Sequence, residues 1–174
     1  MKKALFLDRD GVINIEKNYL YKIKDFEFIN GIFDLCRYYQ NKSFIIIVVT
    51  NQSGIARDFY SKNDFNILTN WMIDKFKFEG IIIKDVFYCP HHPDYSKDCD
   101  YRKPKPGMLF EAQKKYNIDL KNSILVGDKE RDIEAGIDAG LCETYLFDEY
   151  HKVTQSKATK IVNKLEDIYN VDFK

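Results

Sequence analysis

The sequence lacks any excess of charge. Lysine plus arginine and aspartate plus glutamate each number 27 among 174 residues, giving a formal net charge of zero. A broad nucleic-acid surface needs surplus basic residues, so nucleic acid is not an expected partner. Cysteine is scarce: Cys36, Cys89, Cys99 and Cys142 are the four. They are too few for a disulfide scaffold, and a reducing, cytoplasmic compartment is expected. No apolar segment of signal-peptide or membrane length opens the chain, so no membrane partner is expected. Internal repeats and low-complexity linkers are also missing. What is present is a globular composition, 45% apolar and 31% charged. The length suits one domain, residues 1–174, with a sizeable core.

Short apolar runs alternate with helical patterns. Ala4 to Leu7 reads as a buried strand. Val12 to Asn30 reads as a loop or small flap over its end. Gly31 to Lys42 has apolar residues at helical spacing, and Phe44 to Val49 is a β-branched run suited to a strand buried on both faces. Ser61 caps a helix running to about Glu79. Ile81 to Tyr88 is a third strand, and Cys89 to Pro106 a long loop. A helix from Pro106 to Tyr116, a strand from Ile124 to Val126, a helix from Ile133 to Ala139 and a strand from Thr144 to Phe147 follow. Thr154 to Tyr169 is expected to be a C-terminal helix, and Cys36 and Cys142 small core residues. This alternation predicts an α/β fold with a doubly wound parallel sheet.

Right-handed crossovers put the carboxyl ends of such strands on one edge, where ligands bind. Asp8 and Asp10, Thr50 and Asn51, and Gly127 and Asp128 all fall there, and Lys103 precedes a helix on the same edge. Two carboxylates at one strand end repel and are costly to desolvate. A magnesium ion between them is the natural remedy, because it takes hard oxygen ligands and needs few from protein. A polar turn is the plain alternative for Asp8-Arg9-Asp10-Gly11 taken alone.

These residues resemble the signatures of the haloacid dehalogenase superfamily of phosphohydrolases. Phe6-Leu7-Asp8-Arg9-Asp10-Gly11, Val48-Val49-Thr50-Asn51, Lys103, and Val126-Gly127-Asp128 with Asp132 match its four motifs in order. The resemblance implies a magnesium-dependent phosphatase with catalytic residues Asp8, Asp10, Thr50 and Lys103. Asp8 would be the nucleophile and Asp10 the general acid and base. Magnesium would be held by Asp8, the Asp10 carbonyl and Asp128. Asp132 is left as a helix N-terminal charge or a partner of Lys103.

A closer resemblance lies in Asp8 to Asn14, Thr50 to Arg57, Tyr88 to Pro93, Arg102-Lys103-Pro104 and Pro106-Gly107-Met108. These stretches are similar to the D-glycero-D-manno-heptose 1,7-bisphosphate 7-phosphatases, and most of them also to the histidinol-phosphate phosphatases. The heptose family implies removal of the 7-phosphate from a sugar bisphosphate, on the route to activated heptose for surface polysaccharide. Residues 11–43 must include a helix, and the segment from Thr50 to Lys103 is filled by a helix, a strand and a loop. No separate cap domain fits, so selectivity falls to loops. Expected substrate-binding residues are Glu16, Lys17, Asn18, Tyr19, Asn51, Gln52, Ser53, Arg102 and Lys129. Arg102 suits a second anionic group, since a guanidinium binds phosphate with two parallel hydrogen bonds; it could instead meet the transferring phosphate or a carboxylate. Lys129 reaches substrate or solvent.

The heptose phosphatases also carry a structural zinc in the third loop. Cys89, His91 and Cys99 match three ligands, and Tyr101 stands where the fourth cysteine belongs. The choice is between a zinc site short of one ligand and a loop held by Pro90, Pro93 and aromatic packing. The expected partner is a small sugar bisphosphate, handled by a monomer. Two other readings are a histidinol-phosphate or polynucleotide 3′-phosphatase, and a catalytically silent binding module on the same fold.

Overall fold

Apolar strand residues of alternating direction need cover on both faces, and the chain supplies it with helices on each side. The computed structural model describes residues 1–170. Its strands are β1 (Lys3–Leu7), β2 (Phe44–Asn51), β3 (Ile83–Cys89), β4 (Ile124–Gly127), β5 (Glu143–Phe147) and β6 (Lys160–Val162). The helices are α1 (Ile32–Asn41), α2 (Lys62–Phe78), α3 (Gly107–Tyr116) and α4 (Glu130–Asp138). All strand pairs are parallel, in the order β3-β2-β1-β4-β5-β6. The doubly wound α/β sheet read from the sequence is the fold observed.

Side chains of successive strand residues point to opposite faces. Leu5, Leu7, Ile46, Val48 and Val126 pack with Leu35 of α1 and Leu68 and Met72 of α2. Ala4, Phe6, Ile47, Val49 and Leu125 pack with Met108 of α3 and Ile133 of α4. Ser61 caps α2: its hydroxyl accepts from Asp64 N at 3.1 Å, and Asp64 Oδ2 accepts from Ser61 N at 2.8 Å. Such a cap contributes about 1 kcal/mol.

The flap after β1 is pinned by main-chain bonds: Ile15 N donates to Glu27 O and Ile29 N to Ile13 O, both at 2.9 Å. Between β1 and β3 the chain holds this flap, α1, β2, a short loop and α2. Three expectations need correction. β2 runs through Thr50 to Asn51, because those residues still pair with Tyr88 and Cys89 of β3. The helix expected over Thr154 to Tyr169 is not formed: Lys160–Val162 adds to the sheet edge beside Tyr145–Phe147, and among the described residues a 3₁₀ turn, Leu165–Ile168, follows. Cys142 is exposed and outside the core, whereas Cys36 is buried as expected.

Candidate active site

The sheet order reverses between β1 and β4, and the carboxyl ends of these strands carry the charged cluster. Asp8 follows β1 directly, Thr50 lies in the last turn of the β2 ladder, and Asp128 follows β4. Asp8, Thr50 and Lys103 are all buried. The Lys103 ammonium lies 3.1 Å from Asp8 Oδ1, 2.8 Å from Asp132 Oδ1 and 2.7 Å from Val49 O. Its three donors are thereby directed into the protein. Burial opposes its charge, but Asp132 and Asp8 outweigh burial and hold its pKa above the ordinary value. Asn51 fastens the same segment, its side chain accepting from Lys103 N and donating to Lys103 O at 3.0 Å each.

Asp8, Asp128 and Asp132 bring one carboxylate oxygen each within 4.8 Å of one another. Burial is the first cause that raises the Asp8 carboxyl to about 7, with Asp132, Asp128 and Asp10 adding to it against Lys103. Burial and then Asp132 also raise Asp128. Three hard oxygens that repel one another fit a small divalent cation. Space for them depends on glycine: a Cβ on Gly11, whose φ is +91°, would sit 2.3 Å from Asp128 Oδ2. Asp132 is the least free of the three. Its Oδ2 accepts from Lys129 N at 3.0 Å at the start of α4 and its Oδ1 faces Lys103, so both sequence readings of this residue hold.

Asp10 turns away from that cluster. Its carboxylate accepts from Arg9 Nε and Nη2, from Asn14 Nδ2 and from Gln52 Nε2 at 2.9–3.2 Å. It borders a cleft of about 350 Å³ with Glu16, Asn18, Tyr19, Asn51, Gln52, Ser53, Arg102 and Lys129. Lys17 is not brought in; it pairs with Glu27 at the surface, a correction to its expected place. Glu16 accepts from Asn18 N at 2.7 Å, and burial followed by Asp10 raises its pKa. Lys129 Nζ pairs with Asp128 Oδ2 at 2.8 Å rather than pointing freely to solvent.

Sequence reasoning missed Arg57 and Arg131, which line the same cleft. Arg102 feels them: burial first, then Arg131 and Arg57, lower its pKa. Arg57 lies 4.2 Å from the Tyr95 ring centroid and its Nη2 is 3.2 Å from His92 Nε2. The signal available for Arg57 was its place at the end of the family-like stretch from Thr50 to Arg57; for Arg131 there was none beyond a position next to Asp132.

Behind this wall, Cys89, His91 and Cys99 bring their ligand atoms within 4.8 Å of one another. His91 Nδ1 is buried without a hydrogen-bond partner. Those observations fit a soft metal. Other nearby side chains are engaged elsewhere: Asp98 and Asp100 pair with Lys105, and His92 contacts Arg57. Arg102 Nη1 donates to His91 O at 3.1 Å, which ties this loop to the cleft.

Comparison with known proteins agrees with this geometry. The HAD-hydrolase-like family model matches residues 100–168. A D-glycero-alpha-D-manno-heptose-1,7-bisphosphate 7-phosphatase of Campylobacter jejuni is 47% identical over 150 residues, 86% of this chain and 85% of the relative. A D-glycero-beta-D-manno-heptose-1,7-bisphosphate 7-phosphatase of Pasteurella multocida is 41% identical over 97% of this chain and 94% of its own. The crystal structure of D,D-heptose 1,7-bisphosphate phosphatase from B. bronchiseptica, complexed with magnesium and phosphate, superimposes with a TM-score of 0.83 at 27% identity. That match covers 95% of each chain. The chain therefore belongs to the haloacid dehalogenase-like hydrolases, within the family of the heptose-1,7-bisphosphate 7-phosphatases.

Proposed function

We propose that residues 1–174 act as one enzyme, a magnesium-dependent phosphatase that removes the 7-phosphate of D-glycero-D-manno-heptose 1,7-bisphosphate. The observation that carries this reading is one cleft lined both by the Asp10 carboxylate and by three guanidiniums, Arg57, Arg102 and Arg131. A reacting phosphate belongs at the carboxylate end. A second, retained phosphate answers the guanidiniums, each able to donate two parallel hydrogen bonds. A substrate with an amine at its far end, such as histidinol phosphate, has nothing to offer them.

Asp8 attacks phosphorus, a P–O bond to its carboxylate forms, and the bond to the sugar oxygen breaks. Asp10 gives the leaving oxygen its proton. It then takes a proton from the water that attacks the aspartyl-phosphate, freeing phosphate and restoring Asp8. Thr50 donates to a transferring oxygen, and Lys103 holds Asp8 in line while its charge offsets the phosphate. Magnesium, held by Asp8, Asp128 and the Asp10 carbonyl, would lessen repulsion between the anionic nucleophile and phosphate. Glu16, Asn18, Tyr19, Asn51, Ser53 and Lys129 line the route of the sugar. Zinc on Cys89, His91 and Cys99 would brace the loop that presents Arg102. The enzyme is proposed to act as a monomer. Four free thiols support the cytoplasm, and no helix among the described residues is long and apolar enough to cross a membrane.

The test compares phosphate release with magnesium from both anomers of the heptose bisphosphate, the heptose 7-monophosphate and histidinol phosphate. The bisphosphate should exceed the monophosphate in kcat/KM by at least about 10²-fold, as for a buried charged contact of some 3 kcal/mol. Equal kcat/KM for the two overturns the assignment.

A further inference from the structure

Gln52 lies just beyond β2 and is 2% exposed. Its side-chain amide has two donor and two acceptor positions, and all four are used inside the protein. Oε1 accepts from Arg9 Nη2 at 3.2 Å and from the Tyr60 hydroxyl at 2.5 Å. Nε2 donates to Asp10 Oδ2 and to Thr50 Oγ1, both at 2.9 Å. Nothing remains for a sugar.

Arg9 Nη2, which only donates, and the Asp10 carboxylate, which only accepts, decide which way the amide faces. Turned over, its NH₂ would meet an N–H and an O–H, and its oxygen would meet a carboxylate. The Arg9 guanidinium offers only donors. Burial, the largest cause, raises the Tyr60 phenol far above its ordinary pKa, so it stays a donor. Arg9 is itself buried and fixed by Asp10 and by Leu20 O at 3.0 Å. Gly54 packs on the Tyr60 ring so closely that a Cβ there would sit 2.2 Å from it.

The amide orientation then dictates the hydroxyl. Thr50 Oγ1 accepts from Gln52, so its own proton is free for an incoming anionic oxygen. We propose that Gln52 is a positioning residue rather than a substrate ligand: backed by Arg9 and Tyr60, it fixes the Asp10 carboxylate and turns the Thr50 proton toward the transferring phosphate. The inference rests on the phosphatase reading above. It adds a rigid relay between the acid–base group and the phosphate-binding hydroxyl, which neither residue supplies alone.

Gln52→Glu keeps the shape and both acceptors but removes both donors. Its carboxylate repels Asp10 and draws the Thr50 proton back into the protein. Turnover should fall about 10²–10³-fold, the loss typical of a disrupted donor for developing charge. The fall should be similar for the heptose bisphosphate and for an aryl phosphomonoester, because the relay serves the phosphoryl group and not the sugar. KM for the bisphosphate should stay within about threefold, since uniform binding is untouched. Gln52→Met, of similar size and without polar atoms, should lose at least about tenfold on both substrates, and Tyr60→Phe a smaller, equal factor on both. Thermal melting of each variant accompanies the kinetics, and the Met and Phe variants carry the test if the Glu variant does not fold. A rise in bisphosphate KM with aryl-phosphate turnover intact would make Gln52 a sugar ligand and overturn the proposal, as would unchanged turnover in all folded variants. A wild-type enzyme that releases phosphate from neither substrate would instead overturn the underlying phosphatase reading.

Discussion

Asp8 has Asp10, Asp128 and Asp132 as charged neighbours, and the Lys103 ammonium pairs with it at 3.1 Å. Replacement by asparagine should therefore separate chemistry from stability. The amide does not attack phosphorus, and turnover of Asp8→Asn should fall by at least about 10⁴-fold, as when a nucleophile is deleted. The same change removes one of several crowded negative charges. Metal-free Asp8→Asn should melt about 2–4 °C above metal-free wild type at pH 8, the shift expected for roughly 1 kcal/mol. Calorimetry reads this, and a lower melting temperature would mean that the Lys103 pair outweighs the repulsion. Asp8, Asp10, Thr50 and Asp128 were legible in the sequence because each is a polar side chain at or just beyond the end of an apolar strand. Gln52 was legible as part of the site, but its direction was not, since its partners Arg9 and Tyr60 lie on either side in the chain. Arg57 and Arg131 look like solvated surface residues until the loop after β2, the third loop and the start of α4 bring them to one cleft with Arg102.

Continuous β-branched runs such as Phe44 to Val49 specified buried strands, and parallel pairing followed from the helices between them. The C-terminal segment was misread because Ile161, Leu165 and Ile168 also fit a helical stripe. Pairing with β5 decided against it: Lys160–Val162 completes main-chain bonds at the sheet edge, and Asn163 Nδ2 donates to Asp148 O at 2.6 Å just beyond. Strand preference of this kind depends on tertiary neighbours, which no window of sequence contains. In the third loop the sequence identified three soft ligands and an absent fourth, and the fold brings those three together. Tyr101→Cys should complete the tetrahedron and raise zinc retained per chain after dialysis against a chelator, since a metal bound only by the ordered loop adds its binding energy to that order. Wild type that keeps one zinc as firmly as the variant would mean that the tyrosine costs the site nothing.

The sheet gathers its charge at the β1–β4 switch, so the stability of the entire fold is linked to what occupies it. Asp8 titrates near 7 in the fold against 3.8 ordinarily, with burial the main cause. A group whose folded pKa is raised contributes stability that is fully present below its unfolded value and is lost as pH rises through the folded one. Metal-free protein should thus lose this contribution between about pH 4 and 7. Magnesium takes the place of the lost proton, so it should raise the melting temperature by a few degrees at pH 8 and by little at pH 5. Equal shifts at both pH values would remove Asp8 as the linked group. That the strands' carboxyl ends would share one edge was legible from the alternation of strands and helices; the cleft beside it was not, because the flap, the loop after β2, the third loop and the start of α4 build its walls from distant parts of the chain. The three arginines in those walls bear on how a turnover ends. On the proposed binding mode, one phosphate of the bisphosphate would be cut away while the other still faced Arg57, Arg102 and Arg131. The spent sugar would then keep most of the grip that drew it in, and its departure would set the pace at which the cleft is vacated. As it accumulated it would compete with fresh substrate, and added salt, by screening the guanidiniums, would hasten its exit as well as weaken entry.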